Sequence, residues 1–152
     1  RIARARDVIA LIQRVTEAAV AIDGDTVAAI GPGVLALVAA EPADDAQRAA
    51  RLAERVLSYR IFADDTARMN HSARDAERAV LAVPQFTLAA DTRRGNRPGF
   101  STACPPDRAR GLFDDFMAAL RSRHGLVEQG VFGADMQVSL VNDGPVTFWL
   151  QA

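Results

Sequence analysis

Leu81-Ala-Val-Pro-Gln-Phe-Thr-Leu-Ala-Ala90, running on into Asp91-Thr-Arg-Arg-Gly-Asn-Arg-Pro-Gly-Phe100, is the stretch around which the rest of the chain is organised. Its first half is apolar enough for a buried strand, yet Pro84, Gln85 and Thr87 stand where a core strand prefers Val or Ile. Its second half changes abruptly into a basic, turn-forming loop with Arg93, Arg94, Gly95, Asn96, Arg97 and Pro98. A buried strand that carries polar groups and empties into a basic loop predicts a pocket rim facing an anion. A strand end followed by a solvated loop accounts for the same residues.

The flanking segments predict a mixed α and β domain. Val80–Leu88 reads as one strand. Beyond the loop, Pro105-Pro106-Asp107 opens a helix, and Leu112, Phe113, Phe116, Met117 and Leu120 recur as its apolar stripe until Gly125 stops it. Leu126–Phe132, Gln137–Val141 and Val146–Leu150 read as three further strands, with Asn142-Asp-Gly-Pro145 as the tightest turn signal in the chain. On the other side, residues 66–78 are polar and irregular, and Arg60–Phe62 is a short strand. Pro42-Ala-Asp44-Asp45 carries helix-start chemistry, followed by Ala49, Leu52, Ala53, Val56 and Leu57 at helical spacing up to about Tyr59. Val34–Ala40 is continuously apolar, as in a strand covered on both faces, and Gly31-Pro-Gly33 breaks the chain before it. Val8–Val15 reads as a strand, and Gly24-Asp25 turns a hairpin into Thr26–Ile30. No repeat, low-complexity tract or linker divides the chain. Residues 8–152 are expected to form one domain. Residues 1–7, basic and without an initiating Met, form an N-terminal extension of open status.

Composition narrows the function. The 152 residues suit a single core, and 49% hydrophobic with 24% charged residues is the balance of a soluble globular protein. No apolar run approaches the ~18–20 residues of a membrane span, so no membrane partner is expected. The one cysteine, Cys104, cannot pair internally, which fits a reducing cytoplasm. All 18 basic residues are Arg, and the net charge of −1 excludes a generally basic nucleic-acid binder. Any phosphate contact must come from a local cluster.

Familiar catalytic signatures are missing. There is no Walker A loop, G-x-G-x-x-G, CxxC or H-E-x-x-H in the sequence. With only two His, the chain does not suit a His-dependent triad, and His71 reads as a surface residue. Metal ligands are too sparse for a site, and no cofactor is expected. What remains is Gln85 with Thr87, and the Asn142–Thr147 turn. Thr87 can supply a hydroxyl, while Gln85 and backbone N–H groups can stabilise an oxyanion. On the residues alone, a polar pair at a strand edge and an ordinary hairpin are the plainer accounts.

A resemblance changes that ranking. The chain carries Ala10-Leu-Ile-Gln-Arg-Val15, Gly31-Pro-Gly33, Tyr59-Arg-Ile-Phe62 and Met69-Asn70. It continues with Gln85-Phe-Thr-Leu-Ala-Ala-Asp-Thr-Arg93, Gly95-Asn-Arg-Pro98, Gly130-Val-Phe-Gly-Ala-Asp-Met136 and Val138-Ser-Leu-Val-Asn-Asp-Gly-Pro-Val-Thr-Phe-Trp149. In this order and together, they resemble the D-aminoacyl-tRNA deacylases (D-tyrosyl-tRNA deacylases), hydrolases that check chirality.

The resemblance implies a curved, barrel-like mixed β-sheet with two principal helices packed on it, in a homodimer whose sites lie between subunits. The family's Ser-Gln-x-Thr-Leu motif falls on Pro84 to Leu88, lining the pocket for the 3′-terminal adenosine and its aminoacyl ester. Gln85, Phe86 and Thr87 are thereby placed at the ester. The Asn-x-Gly-Pro-x-Thr motif falls on Asn142 to Thr147. Its Gly144–Pro145 bond, cis in the family, is expected to reach into the other subunit's pocket, where backbone leaves no volume for an L side chain. Glycine, with no side chain, would not be well rejected. Arg14 is the residue expected to hold this loop, and Arg93, Arg94 and Arg97 are expected at the acceptor-stem phosphates.

One position departs from the family. Pro84 replaces the motif's Ser and has no N–H, so a hydrogen bond at the pocket floor is expected to be lost or moved. An animal branch related to the family also carries Pro there and acts on an L-alanyl-tRNA error, but differs around the Gly-Pro turn. Two alternatives therefore stand beside D-aminoacyl-tRNA hydrolysis. One is the same scaffold with relaxed selectivity, clearing an L-aminoacyl-tRNA error. The other is a non-catalytic module binding the tRNA acceptor end.

Overall fold

The computed structural model describes residues 8–41, 44–100 and 104–152. The longest early element is one 14-residue strand, β1 (Ile9–Ile22), which is the axis of the sheet. On one side its first half pairs antiparallel with β3 (Gly33–Ala39) and its second half with β2 (Asp25–Ile30). β3 pairs parallel with β6 (Ala79–Pro84), and β6 pairs parallel with β7 (Val127–Gln129). The last strand, β8 (Gln137–Gln151), runs along the whole other side of β1. A short hairpin, β4 (Phe62–Ala63) with β5 (Met69–His71), lies apart.

Parallel neighbours need crossovers, and the two helices supply them. α1 (Ala46–Ser58) links β3 towards β6, and α2 (Pro106–Arg123) links β6 to β7. Asp45 caps α1 as its sequence predicts, its carboxylate accepting the Arg48 N–H at 2.9 Å. Pro42 and Ala43, also part of that start signal, lie outside the described residues. The apolar stripes of both helices are buried against the sheet face formed by Ala10, Ile12, Val34, Ala36, Val38, Val80 and Ala82.

The period-2 alternation of strands sends the intervening residues to the opposite face. There Val15, Val20, Leu35, Leu81 and Val83 form a second core with Ala28 and Ile30 of β2. β2 also touches β6 and β7, although β1 and β3 separate it from them in sheet order. The sheet therefore curls into a nearly closed barrel with both helices outside. At the β3–β6 seam a Cβ on Gly33 would collide with the Ala79 carbonyl, so only glycine fits there.

Three sequence expectations need correction. The strand expected over Val80–Leu88 ends at Pro84, and Phe86–Ala89 is a 3-10 turn begun by the Leu88 N–H bonding the Gln85 carbonyl. The strand expected over Leu126–Phe132 is confined to Val127–Gln129, since β6 offers it only Val80–Ala82 as ladder. The segments Gln137–Val141 and Val146–Leu150 are two parts of one strand, because both pair with β1 in the same direction. What reads as a hairpin turn between them is a bulge.

Candidate active site

The bulge follows from register. Gln13 faces Thr147 and Val15 faces Asn142, so two steps along β1 are matched by five along β8. The surplus residues loop out of the ladder opposite Arg14. Asn142 staples the loop's base. Its Oδ1 accepts the Val146 N–H at 2.9 Å, and its Nδ2 donates to Thr147 Oγ1 at 3.0 Å. Arg14 pins the loop from below, donating Nε to the Asp143 carbonyl at 3.1 Å and Nη1 to the Ile61 carbonyl at 2.8 Å. Its side chain is only 17% exposed, and the Asp143 carboxylate lies 3.5 Å away. Gly144 has φ +131°, and a Cβ there would lie 2.8 Å from Val146 Cγ2 and 3.1 Å from Arg14 Nη2. Glycine is required both by conformation and by space. The Gly144–Pro145 bond is cis, as the resemblance implied, and both residues are exposed.

A cavity of about 490 Å³ opens at the carboxyl ends of β3 and β6, beside the start of α2. Ala39, Ala40, Pro84, Gln85, Phe86 and Met136 are among its walls. Gln85 sits at the point where the strand gives way to the 3-10 turn. Its N–H closes the β3 ladder on the Val38 carbonyl at 2.7 Å, and its Nε2 donates to Thr87 Oγ1 at 2.5 Å. Thr87 is exposed beside the cavity and does not line it. The Phe86 and Thr87 N–H groups open the turn, so neither has a carbonyl within it to bond. Among the described residues no three of His, Cys, Asp and Glu gather as metal ligands. Within one chain, Arg14, Asn142, Gly144 and Pro145 do not line the cavity that Gln85 and Phe86 line.

Residues 11–151 match the family described as D-Tyr-tRNA(Tyr) deacylase. The chain belongs to this family. Curated relatives named D-aminoacyl-tRNA deacylase include those of Sodalis glossinidius and Escherichia coli O1:K1. The first is 59% identical over 143 residues, 94% of this chain and 99% of the relative. The second is 56% identical over 143 residues, again 94% and 99%. Among solved structures, the c-Myc DNA unwinding element binding protein superposes with TM-score 0.90 at 36% identity, over 95% of this chain and 98% of that one. A probable eukaryotic D-amino acid tRNA deacylase shares the fold, with TM-score 0.84 at 17% identity over 96% and 100%.

In this deacylase-family chain the Pro84 departure disturbs the sheet less than its sequence implies. The Ala82 carbonyl accepts from Gly130 on the β7 side, and Gln85 bonds on the β3 side. By alternation the Pro84 nitrogen faces β7, beyond the last paired residue Gln129. No ladder bond is lost, and the ring packs towards Gly130.

The basic loop divides into two roles. Asp91 and Gly99 exchange both backbone hydrogen bonds, at 2.9 and 2.8 Å, closing the loop at its base. Arg93 clamps the Asp91 carboxylate with two bonds of 2.9 and 3.0 Å, which hold that carboxyl well below its ordinary range. Arg94 and Arg97 are exposed and make no ion pair among the described residues. Sequence reasoning missed Ala39, Ala40, Cys104 and Met136 as cavity walls, since small or apolar residues carry no signal separating a cavity wall from core. Burial pushes the Cys104 thiol up, away from the reactive thiolate. No helix among the described residues is long and apolar enough to cross a membrane.

Proposed function

We propose that residues 8–152 form a D-aminoacyl-tRNA deacylase domain, which hydrolyses the ester between a D-amino acid and the terminal ribose to give free tRNA and amino acid. Near-full-length identity of 59% to a relative bearing that name carries the reading. In it the terminal adenosine occupies the 490 Å³ cavity, bringing its ester to Gln85, Phe86 and Thr87. Water adds to the ester carbonyl, the Phe86 and Thr87 N–H groups stabilise the oxyanion, and the ribose oxygen leaves with a proton. An α-amino ester is already activated, so positioning suffices without metal or cofactor.

Thr87 acts in this scheme as a donor that orients water. Gln85 already donates into the Thr87 oxygen, leaving its O–H to point at water or substrate. Among the described residues no carboxylate or imidazole contacts that hydroxyl to take its proton, which argues against direct attack.

Chiral selection requires a second copy of the chain, whose Gly144 and Pro145 enter the cavity of the first and exclude L side chains. Two features support the homodimer. The bulge is exposed and outside its own chain's cavity. The outer edge of β8 has no strand beside it among the described residues, and Leu140, Val141 and Trp149 stand exposed along the strand. Glycyl-tRNA would be cleared as well, since exclusion needs a side chain to act on. Arg94 and Arg97 meet acceptor-stem phosphates, while Arg93 shapes the loop through Asp91. The setting is the cytoplasm, where such substrates arise.

Hydrolysis of D-Tyr-tRNA, Gly-tRNA and L-Ala-tRNA by the purified protein tests the reading. D-Tyr-tRNA and Gly-tRNA are expected to be cleared and L-Ala-tRNA spared. Clearance of L-Ala-tRNA would establish the relaxed-selectivity alternative, and binding without turnover of any ester would leave only an acceptor-end binding module.

A further inference from the structure

Phe86 is the most exposed large hydrophobic side chain among the described residues, at 65%. Its ring lies 5.5 Å from that of Phe100, tilted by 46°, and Phe100 is itself 38% exposed. An aromatic pair left half in water gives up most of the burial that normally makes such a pair favourable. Both members follow residues whose backbone is hydrogen-bonded. Phe86 opens the 3-10 turn directly after the bonded Gln85, and Phe100 follows Gly99, whose N–H and carbonyl are both tied to Asp91. Phe86 also forms part of the cavity wall. The loop between the two rings carries Arg94 and Arg97, both exposed and without an ion pair among the described residues. Paired, exposed aromatic faces beside exposed arginines are what single-stranded nucleic acid binds, bases on the rings and phosphates on the cations.

We infer that Phe86 and Phe100 form a stacking platform for the nucleobase immediately 5′ of the terminal adenosine. The inference rests on the proposed placement of that adenosine in the cavity. With the adenosine inside, its 5′ phosphate and the next nucleotide must leave through the mouth, where the platform stands. That nucleotide is unpaired, so its base is free to stack. The stack would position the ester by holding the strand one nucleotide away, without touching the reacting atoms.

Phe100→Leu tests this, because it keeps apolar volume and removes the ring face at a residue outside the reaction centre. Hydrolysis would be measured on D-Tyr-tRNA and on D-tyrosyl-adenosine, which lacks the penultimate nucleotide. Expected are a KM for D-Tyr-tRNA raised about 5- to 20-fold, within the range for losing one base–aromatic stack, and unchanged kinetics on D-tyrosyl-adenosine. A D-Tyr-tRNA abasic at the penultimate position should show the same rise with the unsubstituted protein and no further rise with the variant. Equal effects on both substrates would put the platform under the terminal base, and no effect on either would remove it; both overturn the inference. So would a weakened dimer, which would show the rings to be covered by a second copy. If the unsubstituted protein cleaves neither ester, the deacylase reading itself fails and takes this inference with it.

Discussion

Replacing Arg14 by Leu cuts three contacts to the bulge and its surroundings. It removes the donors to the Asp143 and Ile61 carbonyls and the 3.5 Å approach to the Asp143 carboxylate. A hydrogen bond from a charged donor contributes about 1.5 kcal/mol at the low end of its range, so the two bonds sum to roughly 3 kcal/mol. The ion pair adds little, since the Asp143 side chain is 52% exposed. At about 1.4 kcal/mol per decade, the observed bulge position loses roughly two decades of preference over alternatives. If that position excludes L side chains, kcat/KM for D-Tyr-tRNA should fall up to about 100-fold, with a narrower gap between D- and L-Tyr-tRNA. Arg14→Lys should recover part of the loss, because one ammonium cannot bridge two carbonyls as a planar fork does. Rates on both esters and the thermal midpoint would be read for each variant. A folded Arg14→Leu protein within twofold of the unsubstituted enzyme on both substrates would refute the positioning role.

Other outcomes follow from single contacts. Gly33→Ala drives a methyl into the Ala79 carbonyl at the β3–β6 seam, so it should cost about 2 kcal/mol or more and lower the thermal midpoint by about 4–8 °C. An unchanged midpoint would show that the seam can open. Thr87→Ala should reduce kcat about 100-fold, as for loss of one aimed donor, while Thr87→Ser retains most of it; a fully active Thr87→Ala enzyme would refute the water-orienting role. Mixed dimers of a Thr87→Ala chain and a Gly144→Val chain should regain one working site, and their silence would argue against a shared site. Bidentate hydrogen bonding from Arg74, with a bond from Ser58, holds the Glu54 carboxyl down at about 2. The folded value lies below the unfolded one. Its contribution is therefore complete above about pH 4.5 and is lost as pH falls through about 2. Glu54→Gln should cost about 1 kcal/mol or less at pH 7, given its exposure, with the difference from the unsubstituted protein vanishing near pH 2 in thermal melts.

Periodic features were legible from the sequence. The stripes Ala49-Leu52-Ala53-Val56-Leu57 and Leu112-Phe113-Phe116-Met117-Leu120 are buried as their spacing predicts, and Asp45 caps its helix. Features set by distant pairing were not. Asn142-Asp-Gly-Pro145 has the same local chemistry as a hairpin turn. Only the length of β1, about 130 residues away in sequence, makes it a bulge. The end of β6 at Pro84 depends likewise on a distant partner, since its last residues Val83 and Pro84 pair with Leu37 and Val38 of β3. The motif residues Gln85 to Thr87 and Asn142 to Thr147 were recognisable by resemblance. Arg14's hold on the loop was recognisable in the same way, while its second bond to the Ile61 carbonyl and the pairing that commits Arg93 to Asp91 needed three dimensions.

The most direct measurement is single-turnover hydrolysis of D-Tyr-tRNA and L-Tyr-tRNA prepared on the same tRNA, with the unsubstituted protein in excess. Rapid release of D-Tyr with L-Tyr-tRNA persisting at its spontaneous rate is the predicted result. Equal release from both esters, or from neither, would contradict the account.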